Sequence, residues 1–406
     1  MHAPARRRLP HALAALLLLA AGLLAAAAPA AAEPRADAPA AAAPGDQWLT
    51  GYWHNFDNGS TTLPISEVPT AYNLIAVAFA DNLAGTPGGI TFNLAGAELG
   101  GYTEQEFKDD IAAAQAQGRK VVISVGGERG HVNVTNATEA ANFANTTYAL
   151  MREYGFDGVD IDLEHGMNAQ YMEQALRSLR SQAGADLIIT MAPQTIDFQA
   201  PTYAYHQLAR GIADILTIVN MQYYNSGSMM GCDQQVYSQG TVDFLTAQAC
   251  IQLELNLRPD QVGLGLPAVP SAAGGGHQST ANVIRALDCL ESGVNCGAFR
   301  PAEPYGPIGG VMTWSINWDA TNGYRFAADI GARLATGSPD PGDPDPGDPD
   351  PGNPGDCTDP AWSATAVYTG GARVSYNGAV YEARHWTQGD TPVHSAWGPW
   401  REIGPC

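Results

Sequence analysis

The stretch that decides the reading of this chain is Gly155-Phe156-Asp157-Gly158-Val159-Asp160-Ile161-Asp162-Leu163-Glu164-His165-Gly166. Read as a strand, it puts Val159, Ile161 and Leu163 on one face and Asp160, Asp162 and Glu164 on the other. Like charges at successive same-face positions repel, and an edge strand rarely stacks them over a Val-Ile-Leu face. A calcium loop would need a mid-loop glycine and turn formers between the acids. Carboxylates grouped in this way perturb one another's ionisation, which is a mark of functional sites. The stretch therefore reads as a buried barrel strand that points catalytic carboxylates inward and toward one mouth.

Outward from it, short apolar segments alternate with helical patterns, the order that builds a parallel sheet from βα units. Strands are predicted at Trp48–Trp53, Tyr72–Ala80, Lys120–Gly126, Asp157–Glu164, Leu187–Ala192, Ile215–Tyr223, Gln261–Leu266 and Gly309–Trp314. Helices are predicted at Glu104–Gln117, Thr138–Tyr154, Ala169–Gln182, Val242–Leu255, Thr280–Leu290 and Gly323–Leu334. After the first strand, Pro64 and Pro69 leave room for only a short helix. The expected fold is α/β, a (β/α)8 TIM barrel over residues 47–336. Such barrels carry their chemistry at the C-terminal ends of the strands. Those ends hold Tyr52-Trp53, Ser124-Val125-Gly126-Gly127, Met191-Ala192-Pro193-Gln194, Gln222-Tyr223-Tyr224-Asn225 and Trp314.

The chain has 406 residues, with 20 Lys and Arg against 41 Asp and Glu, a formal net charge of −21. That excess argues against nucleic acid or an anionic membrane as a partner. Residues 1–32 read as a signal peptide: Arg6-Arg7-Arg8, a Leu/Ala run from Leu13 to Ala28, then Ala30-Ala31-Ala32 before cleavage. The consecutive arginines are compatible with twin-arginine as well as general export. No later segment is long and apolar enough to span a bilayer. The expected product is a secreted, extracellular monomer. Residues 33–46 form an Ala/Pro-rich lead-in. His131, His165 and His206 show no ligand spacing, and neither a metal nor a cofactor is expected.

Six cysteines in an exported chain imply disulfides. Pairing neighbours gives Cys232–Cys250, Cys289–Cys296 and Cys357–Cys406. Residues 337–356 repeat Pro-Asp-Pro-Gly-Asp, a semi-extended acidic linker. Residues 357–406 are too few to bury much core, so the last disulfide would staple a small all-β module. Tyr376-Asn377-Gly378 before Val380-Tyr381 reads as a hairpin. Trp362 and Trp400 are expected in the module's core. Trp386, with Tyr381 and Trp397, is the expected exposed binding face.

Asp157-Gly158-Val159-Asp160-Ile161-Asp162-Leu163-Glu164 resembles the DxxDxDxE signature of glycoside hydrolase family 18, the chitinases and their relatives. The strand-end segments are similar to further elements of that family, in order along the chain. The run from Trp362 through Tyr381-Glu382-Ala383-Arg384-His385-Trp386 to Pro392 resembles chitin-binding modules of carbohydrate-binding families 5 and 12. There His385 stands where relatives often carry a second Trp.

The resemblance implies a retaining mechanism in which the substrate's own acetamide is the nucleophile. It implies Glu164 as acid and base, Asp162 as the acetamide's orienting partner, and Asp160 below, sharing a proton with Asp162. Tyr224 would hydrogen-bond the acetamide oxygen, and Trp314 would floor the sugar. Gln222, Asn225, Met191, Gln194, Tyr52, Gly126 and Gly127 would complete the substrate site. Asp157 would serve the start of the strand. The implied substrate is chitin or another GlcNAc-containing polysaccharide. The short span between the seventh and eighth strands leads us to expect an open cleft and endo-type cutting. An endo-β-N-acetylglucosaminidase and a non-catalytic chitin lectin are the competing readings.

Overall fold

The computed structural model describes residues 47–255, 257–337, 359–363, 366–376, 379–385, 387–392 and 399–405. The signal segment 1–32, the lead-in 33–46, nearly all of the 337–356 linker, the Cys357–Cys406 pair, the Asn377-Gly378 turn, Trp386 and Trp397 lie outside them.

Eight parallel strands close into a barrel: β1 (Trp48–His54), β2 (Leu74–Asn82), β3 (Lys120–Gly126), β4 (Gly158–Asp162), β5 (Ile188–Met191), β6 (Ile218–Gln222), β7 (Val262–Pro267) and β8 (Gly310–Trp314). Each pairs with its neighbour in sequence, and β8 pairs back onto β1. Closure removes every free strand edge. The helices around it are α1 (Glu104–Ala116), α2 (Ala137–Tyr154), α3 (Ala169–Ala183), α4 (Ala204–Gly211), α5 (Val242–Glu254), α6 (Thr280–Ser292), α7 (Ile316–Thr321) and α8 (Arg325–Thr336). Between β1 and β2 only a single turn of 3-10 helix, Ile65–Glu67, forms, in keeping with the two prolines.

Local chemistry sets the helix starts. Thr103 accepts from the Glu106 amide at 3.2 Å while Glu106 accepts from the Thr103 amide at 2.9 Å, a reciprocal cap that starts α1. Asn136, Asn168, Thr241 and Ser279 cap α2, α3, α5 and α6 with their side-chain oxygens. Two short elements lacked a readable pattern. α4 is only eight residues long, and a small antiparallel hairpin, Ser228–Met230 with Val236–Ser238, follows β6 without an Asn-Gly turn.

The pleat sorts side chains into two cores. Outward residues such as Val159, Ile161, Ile189, Met191 and Leu264 pack beneath the helices. Inward residues, among them Leu74, Ala76, Val122, Ile218 and Met312, fill the lumen. Arg333 of α8 lies buried against Asp288 at 3.0 Å and Glu291 at 2.7 Å on α6, tying the last helix to the barrel. Cys232–Cys250 joins the hairpin to α5, and Cys289–Cys296 closes a short loop at the end of α6, so both of these expected pairings are present. Among the described residues no helix is long and apolar enough to cross a membrane.

The C-terminal segment forms its own small sheets. Arg373–Tyr376, Ala379–Ala383 and Trp400–Pro405 pair antiparallel, and Val367–Tyr368 pairs with Thr387–Gln388. The first pairing has the register expected of a hairpin, with Tyr376 opposite Ala379. The core is Val374, Tyr381, Ala383 and Trp400, with Trp362, Tyr368 and Tyr376 against it.

Candidate active site

β4 is shorter than its sequence pattern because its ladder is interrupted at Asp162. The Leu163 amide donates to the Tyr205 hydroxyl of α4 at 2.6 Å instead of to a strand. The Asp162 carbonyl accepts from Gly127 at 2.6 Å. Glu164 therefore starts the loop at the mouth, half-buried, while Asp160 and Asp162 stay inside. The glycines of β3 permit this approach. Gly126 has φ +124°, and a Cβ there would lie 2.0 Å from the Asp162 carbonyl oxygen. Gly126 and Gly127 thus act by seating Asp162. At the other end of the strand Asp157 accepts from Lys120 at 3.0 Å and from the Val121 amide at 2.9 Å, the structural role expected of it.

Asp160 is saturated. Tyr52 and Ser124 donate to its Oδ2 at 2.7 and 2.6 Å, and Thr190 donates to Oδ1 at 2.6 Å. Three hydroxyl donors favour the anion, offsetting burial, which pushes its pKa up. Asp162 has one donor, Gln222 Nε2 at 2.9 Å. Burial first, then the charges of Asp160 and Glu164, push Asp162 well above the usual carboxylate range. Of the two carboxyls, Asp162 is the one pushed further toward its protonated form.

Glu164 is held loosely by two glutamines, Gln222 Nε2 to Oε1 and Gln194 Nε2 to Oε2, both at 3.4 Å. Gln222 also donates to the Ala192 carbonyl at 3.0 Å, which fixes its amide between the two acids. Gln194 is placed by Asp197, whose Oδ2 accepts the Gln194 amide at 2.9 Å. Burial pushes Asp197 up to about 6, with the Glu164 charge adding to it and the Gln194 amide opposing.

Tyr224 is nearly buried, and no described residue hydrogen-bonds its hydroxyl. Burial and the nearby charges of Asp162, Glu164 and Asp160 raise its pKa, so it remains a neutral donor. Trp314 ends β8 with its ring against Tyr52 at 5.5 Å, His54 at 4.8 Å and Phe79 at 5.9 Å. The peptide bonds Ala78–Phe79 and Trp314–Ser315 are cis.

Three expected contacts are placed differently. Met191 is fully buried on the outward face, because it pairs with Ile161 while Thr190 pairs with Asp160. Tyr52 is 2% exposed and gives its hydroxyl to Asp160, so it supports the acids from beneath. Asn225, at φ 52°, binds the 275 loop through its amide and side chain. Thr190, Phe79, Asp197 and His54 join the site without having been singled out, and Ser124, known only as part of a strand-end segment, proves to be a ligand of Asp160. In the module, Tyr381 is buried in the core rather than exposed as a platform, and Trp400 fills the core as expected. Among the described residues the one close group of potential metal ligands is Cys232, Cys250 and Glu254, whose sulfurs are already spent on each other.

Residues 49–329 match the model of the glycosyl hydrolases family 18. The chain belongs to glycosyl hydrolase family 18. Residues 361–401 match the carbohydrate-binding module family 5/12. The family 18 chain is 38% identical over 322 residues to Chitinase Chi52 of Paenibacillus xylanexedens, covering 70% of this chain and 61% of that protein. It is likewise 38% identical over 322 residues to Chitinase D of Niallia circulans, covering 70% and 60%. It thus spans about three fifths of the length of these curated relatives. The solved structure of a candidate Chitinase A from Streptomyces coelicolor aligns at TM-score 0.71 and 59% identity, over 72% of this chain and 99% of that one. The family 18 match thus covers the barrel that holds Asp160, Asp162 and Glu164.

Proposed function

We propose that this protein is a secreted, endo-acting chitinase that hydrolyses β-1,4 GlcNAc linkages with retention, using the substrate's acetamide as nucleophile. The observation that carries the reading is the asymmetry of the carboxyl pair. Asp162, buried inside the barrel with Gln222 as its one side-chain donor, is placed to orient an amide. Glu164, half-exposed at the mouth, can reach a glycosidic oxygen.

In this mechanism Glu164 gives its proton to the leaving oxygen as the C1–O bond breaks. The acetamide carbonyl oxygen bonds to C1, forming an oxazolinium intermediate. Asp162 accepts the acetamide N–H and balances its charge, and the free Tyr224 hydroxyl donates to the acetamide oxygen. Water then attacks C1, its oxygen replacing the acetamide oxygen as that C1–O bond breaks and the N-acetyl group is restored, and its proton passes to Glu164, restoring the acid. Gln222 keeps the two acids in register, Gln194 steadies Glu164, and Trp314 floors the reacting sugar. The reading needs no cofactor or metal.

Residues 1–32 would direct export and be removed. Residues 47–336 would cut the chain, and 357–406, joined by the 337–356 linker, would hold the enzyme on chitin, with Trp386 and Trp397 as stacking rings. Between β7 and β8 the chain contains α6 and a seven-residue disulfide spacing, and no further sheet among the described residues. That supports an open cleft and internal cutting.

The test compares wild type with Glu164→Gln on colloidal chitin and on a high-mannose glycoprotein. We expect turnover of chitin, lost by about 10²–10⁴-fold in the variant, which still binds the polymer. Cleavage of the glycoprotein alone would make the protein an endo-β-N-acetylglucosaminidase. Equal behaviour of wild type and variant would make it a lectin.

A further inference from the structure

His54, the last residue of β1, is fully buried at the mouth, stacked on Phe56 at 4.5 Å and packed on Trp314 at 4.8 Å. Its protonation follows from the neighbours. Ser60 Oγ has one proton and donates it to Asn58 Oδ1 at 2.7 Å. The 3.3 Å contact between Ser60 Oγ and His54 Nδ1 is then an Nδ1–H donation to the hydroxyl oxygen. Nε2 is left bare, and it has no partner among the described residues. Burial holds the imidazole neutral, with its pKa lowered to about 3.

The backbone around it is clasped as well. The His54 amide donates to Asn317 Oδ1 at 2.8 Å, three residues beyond Trp314. Asn317 Nδ2 donates to the Thr61 carbonyl at 3.0 Å, and the Thr61 amide donates to Thr321 Oγ1 at 2.9 Å. The loop after β1 and the turn after β8 are thus sewn together, with the His54 ring inside the seam and against the indole.

A phenyl ring would pack there without an orphaned nitrogen. A buried unpaired acceptor is an expense that calls for a reason, and the Nδ1–H is what the imidazole adds. We propose that His54, through its Nδ1–H bond to Ser60, is a positioning residue that fixes the tilt of Trp314 and hence the seat of the reacting sugar. This inference rests on the reading of Trp314 as the sugar floor. A floor that tilts misplaces the anomeric carbon more than it weakens binding, so the effect belongs in kcat.

The experiment measures kcat, KM and Tm on soluble GlcNAc oligomers for wild type, His54→Phe, Ser60→Ala and the double variant. Each single variant is expected to lose about tenfold in kcat with KM within about twofold. The double variant should lose no more than the worse single one, since both remove the same bond. Ser60→Ala leaves the ring in place, so the test stands even where His54→Phe folds poorly. Unchanged kcat in a folded Ser60→Ala, additive losses, or a rise in KM alone would overturn the inference. Oligomers left intact by wild type would overturn both it and the reading of the site.

Discussion

The barrel and the C-terminal module both bury aromatic rings, but only the barrel has enough core to hold a second set apart for its mouth. In the barrel a core beneath the helices takes aliphatic side chains together with rings such as Trp53, Tyr72, Phe107, Phe143 and Phe244, and a separate set, Phe79, Tyr224 and Trp314, is kept for the mouth. In the module the core itself is Tyr381 and Trp400, backed by Trp362, Tyr368 and Tyr376. A large domain can divide packing from recognition between two faces of each strand. A module of some fifty residues buries too little to do so, and rings supply much of its core.

The largest effect that could break this contrast lies in the module. Trp400 is 1% exposed and donates Nε1 to the Asp390 carbonyl at 2.8 Å. Trp400→Ala should cost about 3–5 kcal/mol, enough to unfold a domain this small and abolish adsorption to chitin. Trp386→Ala should weaken adsorption while the module stays folded, as read by circular dichroism of the isolated module and pull-down of the whole chain. Equal unfolding in both variants would erase the distinction between core and platform.

In the barrel, chemistry and stability should separate by strand face. Asp160→Asn replaces one acceptor oxygen with an NH2 facing hydroxyls that now donate to it, so Tyr52, Ser124 and Thr190 must rearrange and Asp162 moves with them. We expect kcat on soluble oligomers to fall by about 10–100-fold in a folded protein. A rate within twofold of wild type would show that Asp160 is only packing.

The smallest effect is a pH-dependent one. Asp197 has its pKa raised to about 6 from an ordinary 3.8, so its contribution to stability is present below about pH 3.8 and lost as pH rises through 6. Asn is neutral at every pH and can still accept the Gln194 amide. Asp197→Asn should match wild type in Tm at pH 3.5 and exceed it by about 1–3 °C at pH 7. A constant difference across that range would mean that the carboxyl is not the cause.

Much of this was legible before any coordinates. Alternation in 157–164 separated the outward Val159, Ile161 and Leu163 from the inward acids, and the eight strands and two disulfides followed from spacing. What escaped was register. In Leu187-Ile188-Ile189-Thr190-Met191-Ala192 nothing says which parity faces inward, because every side chain is compatible with burial. Only the pairing of Thr190 with Asp160 decides it, and it turns Met191 outward. Ser124 and Asp197 are ordinary loop and strand-end residues until their partners, 36 and 3 positions away, are known. Tyr381 was misjudged for the module's own reason: its ring is needed for the core.

The most direct test of the account is the anomeric form of the first product released from a GlcNAc tetramer, followed by proton NMR before mutarotation. Attack by the acetamide followed by water predicts the β anomer first. Initial release of the α anomer would contradict it, since a single displacement by water would then be the chemistry that Glu164 and Asp162 perform.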